Sequence, residues 1–272
     1  MSFFQSIFLG IIQGLTEFLP ISSSAHLVLA PYLLNWKIPA QEAFIFNVLV
    51  QLGTLLAVIV YFWKDVVSIV QAFFTGIFKG HPFADPNARL GWYLILATIP
   101  AGLAGITIKK YVEAAFASPV ATALLLLLTA ALLWIAERVG RRNRSVDSLT
   151  WKDALWIGVA QMISIFPGVS RSGSTMAGGM TRNLDRVSSG RFAFLMSIPV
   201  MLAAGALETL DLIHTQASTG FIPVVIAGFV TAAVVGYFSI HWLLRFLTRR
   251  PLTILAAYCV ALCAVVLIYT YV

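Results

Sequence analysis

Apolar residues run through this chain in long blocks separated by short polar punctuation. Six blocks, roughly 44–62, 90–108, 118–136, 192–213, 221–239 and 252–272, reach the ~20 mostly apolar residues that a bilayer-spanning helix needs. Two others, 3–19 and 154–166, are shorter. Each ends at a proline and a polar cluster, and each is followed by another modest apolar stretch, 24–34 and 172–181. This pattern predicts helix–break–helix hairpins that enter a membrane and leave by the same side. Non-helical backbone at membrane depth is tolerated only where protein or a wet cavity surrounds it. The stretch 66–78 is short for a span and predicts an interfacial or partly buried helix.

The two short blocks are related. Gly10-Ile11-Ile12-Gln13 returns 148 positions later as Gly158-Val159-Ala160-Gln161, and Phe44-Ile45-Phe46 returns at the same offset as Phe192-Ala193-Phe194. Pro20-Ile21-Ser22-Ser23-Ser24 closes the first copy, and Pro167-Gly168-Val169-Ser170-Arg171-Ser172 closes the second. The expected architecture is an all-α integral membrane protein with six transmembrane helices and two re-entrant helix hairpins in an inverted-topology repeat. It forms one membrane domain over 1–272, with repeats of approximately 1–136 and 154–272 joined by a basic cytoplasmic loop, 137–153. Interrupted segments in the two halves of such a fold point to its binding site.

Charge orients the chain. The loop 137–153 carries Arg138, Arg141, Arg142, Arg144 and Lys152, the stretch 182–191 carries Arg182, Arg186 and Arg191, and Arg245, Arg249 and Arg250 mark one end of the last span. By the positive-inside rule these ends are cytoplasmic. Three spans then separate the hairpins, so the first hairpin enters from outside and the breaks can meet near the midplane. Lys109 and Lys110 fall outside on this scheme, against the rule. Composition agrees with a membrane protein: 60% of residues are hydrophobic and 11% charged, and no long polar stretch suggests a separate soluble domain. The net charge of +7 is that of short basic loops, not of a nucleic-acid binder. The start, Met1 to Phe8, lacks the basic region of a cleavable signal peptide. Cys259 and Cys263 lie four apart on one apolar segment and read as small core residues.

The candidate chemistry sits on the breaks. Gln13 and Glu17 share a helix face, and a carboxylate in an apolar run is a functional candidate by default. Ser22, Ser23, Ser24 and His26 follow Pro20. Serines there can cap the next helix, whose N–H groups attract anions, but capping does not account for His26. The other histidines, His81, His214 and His241, fall in or near predicted loops or span ends. In the second hairpin Arg171 offers a planar fork for phosphate oxygens, beside the hydroxyls of Ser170, Ser172, Ser174 and Thr175. Gln51 and Gln161 are polar positions on apolar runs, either beside the site or in interhelical hydrogen bonds. An acid/base, a nucleophile, an anion clamp and a helix terminus are the parts of phosphoryl transfer. In a bilayer the natural substrate is a lipid phosphate. A carrier of phosphorylated lipid, which needs the clamp but no nucleophile, is the other reading.

The run Gln13 to His26 and the run Pro167 to Thr175 resemble the two motifs of the bacterial undecaprenyl-diphosphate phosphatase family of the bacitracin-resistance type, and the resemblance spans essentially the whole chain. It implies a plasma (inner) membrane enzyme, opening to the outer face, that converts a long polyprenyl diphosphate to the monophosphate carrier used in cell-wall synthesis. Carried over by motif, its functional residues are Glu17, Ser23, His26, Arg171 and Thr175, with Ser170 beside them. The favoured reading has Ser23 attack with His26 and Glu17 managing protons; the alternatives are that His26 attacks or that His26 activates a water. Where some members have Glu this chain has Gln13, an amide that cannot act as a base and binds a divalent cation less well. Mg²⁺ or Ca²⁺ could still help neutralise the diphosphate; no organic cofactor is implied. Gly102, Gly105, Gly228 and Gly236 permit close helix packing within one subunit or in a homodimer.

Overall fold

The computed structural model describes residues 1–107, 112, 115–213 and 219–272, and every regular element among them is helical. Helix α1, Phe3–Thr16, opens with a capping box in which Ser2 Oγ accepts from the Gln5 amide at 3.1 Å and Gln5 Oε1 accepts from the Ser2 amide at 2.8 Å. It stops short of Pro20, which has no N–H to give. Helix α2 is Ser23–Leu33, α3 Ala40–Tyr61, α4 Trp63–Phe78, α5 Pro86–Thr107 and α6 Pro119–Val139. Thr150 and Asp153 form a second capping box at the start of α7, Trp151–Met162, which ends in a 3₁₀ turn, Ile163–Ile165. Helix α8 is Arg171–Thr181, α9 Arg186–Ile213, α10 Ile222–Arg249 and α11 Thr253–Tyr271.

Among the described residues, five helices have a stretch long and apolar enough to cross a membrane: α3, α6, α9 over Arg186–Ala206, α10 and α11. The predicted span 90–108 falls on α5, 22 residues ending where the description stops. Lys109, Lys110 and His214 lie outside the described residues. The predicted interfacial segment is α4, 16 residues long. Helix α10 runs ten residues past the predicted end at 239. Its apolar block ends there, but Ile240, Leu243 and Leu247 stay buried, so packing carries the helix on. At 1.5 Å per residue it is about 42 Å long, longer than a hydrocarbon core of about 30 Å.

The broken pairs α1–α2 and α7–α8 sit between the long helices. Helix α1 lies against α10 and α7 against α5. Both contacts need glycine. A methyl at Gly10 would come within 2.8 Å of the Gly228 carbonyl oxygen, and one at Gly158 would run into the Ala97 backbone. Three of the four aromatic residues of the repeated triplets are interior, and Phe44 is exposed. Phe46 and Phe194 are buried, and Phe194 meets Phe18, just past α1, edge-on at 5.5 Å. The outer faces carry exposed apolar side chains such as Leu103, Ile226 and Phe238, as suits a lipid-facing surface.

One end of the bundle is fastened by two carboxylates. Glu137 accepts from Arg142 at 2.6 Å, from Arg186 at 2.7 Å and from the Leu252 amide at 2.7 Å, tying α6, α9 and the α10–α11 turn together. Asp153 accepts from Arg144 at 2.8 Å, Arg182 at 2.7 Å and the Thr150 hydroxyl at 2.8 Å. Burial works to raise the Asp153 carboxyl, but the hydrogen bonds from Arg144, Arg182 and Thr150 outweigh it and hold it well below the ordinary carboxylate range. A depressed carboxylate stabilises the fold above its unfolded value of about 4, and that contribution fades as pH falls toward the folded value. Asp153→Asn is therefore expected to lower stability at neutral pH and to flatten the acid-side loss. Thermal unfolding in detergent across a pH series measures both.

Candidate active site at the two helix breaks

The two breaks use the same local chemistry at matching positions of the sequence repeat. Ser22 caps α2, its Oγ accepting from the Ala25 amide at 3.3 Å, and Ser170 caps α8, its Oγ accepting from the Gly173 amide at 3.0 Å. Ser22 and Ser24 hydroxyls lie 3.1 Å apart, as do those of Ser170 and Ser172. Each break also satisfies the other: the Gly168 amide donates to Ser22 Oγ at 3.2 Å, and Ser172 Oγ donates to the Leu19 carbonyl at 3.1 Å. Ser22 holds φ at +71°, a conformation that costs a non-glycine residue about 1–3 kcal/mol. Its carbonyl, accepting from His26 Nδ1 at 2.7 Å, and its doubly engaged hydroxyl fix it there.

The second break hangs on α6. Thr129 Oγ1 donates to the Gly168 carbonyl at 2.8 Å and accepts from the Ser170 amide at 2.9 Å. Gly168 has φ at +102°, and a methyl there would meet Leu125 Cβ at 2.6 Å. Thr129→Val keeps the shape but strands a buried carbonyl and a buried amide. It is expected to destabilise the protein by about 1–3 kcal/mol, measured as an earlier unfolding transition in detergent.

Glu17 is the hub. Its Oε2 accepts from Ser23 Oγ at 2.5 Å and from Gln13 Nε2 at 3.0 Å, and its Oε1 lies 3.3 Å from Arg171 Nη2. Gln13 Nε2 also reaches Thr54 Oγ1 on α3 at 3.4 Å. The carboxylate side chain is 6% exposed and the guanidinium side chain 24%. Two buried atoms at this hub have no partner: Arg171 Nη1, a donor, and Gln13 Oε1, an acceptor. A carboxylate beside a hydroxyl, with an arginine that has a donor to spare, can take a proton and hold an anion.

His26 stands apart from Ser23. Its Nδ1 faces the Ser22 carbonyl at 2.7 Å and its Nε2 faces the Tyr258 hydroxyl of α11 at 2.8 Å, with the two rings parallel within 5°. Thr175 and Ser174 bond back to the Arg171 carbonyl at 2.8 and 3.0 Å, so their protons are committed within α8. Gln51 is half-buried one turn before Thr54, and its backbone carbonyl accepts the Thr54 hydroxyl at 2.8 Å. Gln161, the repeat counterpart of Gln13, is buried on α7 with neither side-chain polar atom partnered. His241 pairs with Tyr61 at 3.2 Å, away from the breaks, and His81 is exposed beyond α4. Cys259 and Cys263 are buried free thiols. Among the described residues no group of three or more His, Cys, Asp or Glu side chains converges on a metal position. Thr54, Thr129 and Tyr258 join the constellation only through tertiary contacts; sequence reading did not single them out.

Comparison with known proteins gives a consistent picture. Residues 6–265 match the family model described as bacitracin resistance protein BacA. The chain is 42% identical to an undecaprenyl-diphosphatase of Thermomicrobium roseum, covering 98% of both sequences. It is 43% identical to one of Chlorobaculum tepidum, covering 95% of this chain and 93% of that protein, and 40% identical to one of Myxococcus xanthus, covering 98% and 89%.

Proposed function

The chain belongs to the bacitracin resistance protein BacA family, and on that footing we propose that it is an undecaprenyl-diphosphatase. It hydrolyses undecaprenyl diphosphate to the monophosphate and inorganic phosphate, recycling the lipid carrier for cell-wall synthesis and conferring bacitracin resistance. The observation that carries the chemical reading is Glu17 shared between Ser23 at 2.5 Å and Arg171 at 3.3 Å. One carboxylate thus joins the nucleophile of the first hairpin to the anion clamp of the second.

In this mechanism the terminal phosphate takes the free Arg171 Nη1 donor and draws the guanidinium from Glu17. Backbone amides at the start of α8 add to the clamp. Ser23 Oγ attacks the terminal phosphorus and gives its proton to Glu17. The bond to the bridging oxygen breaks, and Glu17 passes the proton to the departing lipid monophosphate. Water then attacks the phosphoserine and gives a proton to Glu17, which returns it to Ser23 Oγ as inorganic phosphate leaves. The 2.5 Å contact favours Ser23 over His26 as nucleophile, since His26 has both ring nitrogens engaged elsewhere. Thr175, Ser170, Ser172, Ser22 and Ser24 line the anion pocket with hydroxyls that turn to donate to phosphate oxygens when substrate enters, with Gln51 and Gln161 at its margin. Gln13 Oε1 and Glu17 are oxygen donors that suit a hard cation, so Mg²⁺ or Ca²⁺, completed by diphosphate oxygens, would be held there to neutralise the substrate.

In the same reading α3, α5, α6, α9, α10 and α11 are six spans, and α1–α2 and α7–α8 are re-entrant hairpins of an inverted repeat. The paired serine caps and the crossed hydrogen bonds between the breaks support it. The arginine-fastened end faces the cytoplasm across the bacterial inner membrane, and the pocket opens outward, with the isoprenoid tail in lipid or along an apolar groove. Gly228 and Gly236 are used inside the subunit, which leaves the open faces of Gly102 and Gly105 for a second copy in a homodimer.

The test is phosphate release from long-chain polyprenyl diphosphate by purified protein in detergent, with and without Mg²⁺ or Ca²⁺. Release supports the assignment. A folded protein that moves the lipid across vesicles but releases no phosphate would overturn it in favour of a carrier.

A further inference from the structure

Tyr258 is the neighbour of His26 that the phosphatase chemistry does not use. It comes from α11, at the far end of the chain, and its hydroxyl lies 2.8 Å from His26 Nε2 with the rings stacked at 5.7 Å. The other ring nitrogen fixes the chemistry of this contact. His26 Nδ1 is 2.7 Å from the Ser22 carbonyl, which can only accept, so Nδ1 carries a proton. In the neutral imidazole Nε2 is then a bare acceptor, and the Tyr258 hydroxyl donates to it. When His26 takes a second proton, Nε2–H becomes a donor and the same hydroxyl turns to accept. A hydroxyl is the simplest side-chain partner that satisfies both states of an imidazole without moving. The Ser22 carbonyl is itself held by the strained, doubly anchored break (φ +71°). The histidine is therefore clamped from both sides, by backbone at one nitrogen and by Tyr258 at the other.

We propose that Tyr258 is a positioning residue for the phosphoryl-transfer site, whose hydroxyl fixes His26 as the Nδ1–H tautomer and stays bonded to Nε2 as His26 gains and loses a proton. The proposal rests on the phosphatase reading for its kinetic consequence but not for its structural one. The Nδ1 bond to the Ser22 carbonyl couples the orientation of His26 to the strained backbone immediately before the nucleophile Ser23. Tyr258 would act through the histidine without touching the substrate.

Tyr258→Phe keeps the stacked ring and removes only the hydroxyl. The expected result is a fall in kcat of about tenfold with KM for polyprenyl diphosphate unchanged, as for a group that orients another side chain. The independent readout is the ¹⁵N resonance of His26 in histidine-labelled protein, assigned by its loss in His26→Gln. In the wild type it is expected to report one tautomer, protonated at Nδ1 with Nε2 hydrogen-bonded. In Tyr258→Phe the Nε2 signal is expected to move to the position of a nitrogen without a donor. Unchanged His26 resonances in Tyr258→Phe would overturn the proposal, as would an unchanged kcat from an active wild type. If the wild type releases no phosphate, the phosphatase reading fails, and the ¹⁵N comparison still decides whether Tyr258 holds His26.

Discussion

Arg171→Ala is expected to lower the rate of phosphate release about 10³-fold, the scale on which removal of a phosphate-clamping arginine acts. Arg171 is in the first turn of α8, where the helix dipole favours an anion. Its ion pair with Glu17, at 3.3 Å, is long, and among the described residues its buried Nη1 has no partner. Both features describe a group waiting for a better anion. An alanine leaves Glu17 without its cation but still bonded to Ser23 and Gln13, so the fold should survive while the clamp is lost. Lysine restores the charge without the fork and should recover only part of the rate. Steady-state phosphate release, with detergent-solution thermal unfolding as the control for folding, measures this. An alanine variant within tenfold of wild type would remove Arg171 from the mechanism.

Glu17→Gln should cost about 10²–10⁴-fold, the range for losing a general base. The swap is nearly isosteric and its carbonyl oxygen can still accept from Ser23, so the nucleophile stays in place but has nowhere to send its proton. It also leaves Arg171 without a counter-charge in a poorly solvated position. Breaking a buried pair on one side costs about 3–5 kcal/mol, and Arg171 is partly exposed, so the loss here should be smaller. Because Glu17 and Arg171 serve one transition state, the Glu17→Gln, Arg171→Ala double variant should be barely worse than the poorer single variant. Full additivity would mean that the two residues act in separate sites, and a Glu17→Gln variant of near-normal kcat would assign the base elsewhere.

What the sequence made legible, and what it hid, follows from the physics of the bilayer. Glu17 and Arg171 stood out because a charge in an apolar run is costly. The breaks stood out because proline and glycine interrupt blocks too short to span. Thr54, Thr129 and Tyr258 did not. A threonine inside an apolar helix can bond to its own backbone, and Thr54 does so with the Gln51 carbonyl at 2.8 Å. Its composition therefore carries no signal, and its second role depends on a partner 41 residues away. Thr129 likewise meets the second break from 41 residues away, and Tyr258 meets His26 from 232. The extension of α10 was hidden for a related reason: hydropathy falls at 239, while burial of Ile240, Leu243 and Leu247 is decided by neighbouring helices.

The crossed hydrogen bonds between the breaks also set a clock. Ser22 accepts from Gly168 across 146 residues, and Leu19 accepts from Ser172 across 153. At about 5–20 residues per second of synthesis, the first hairpin reaches the membrane on the order of ten seconds before its partner exists. Through that interval the Leu19 carbonyl keeps the Ile21 amide and the Ser22 hydroxyl keeps Ala25 and Ser24, while the bonds that join the two breaks are missing. Truncating the chain before Phe166 would make that waiting state permanent, a half-protein with an unfinished seam that quality-control proteases can recognise. Arrival of the second hairpin closes the seam, and the last helix then brings Tyr258 to His26.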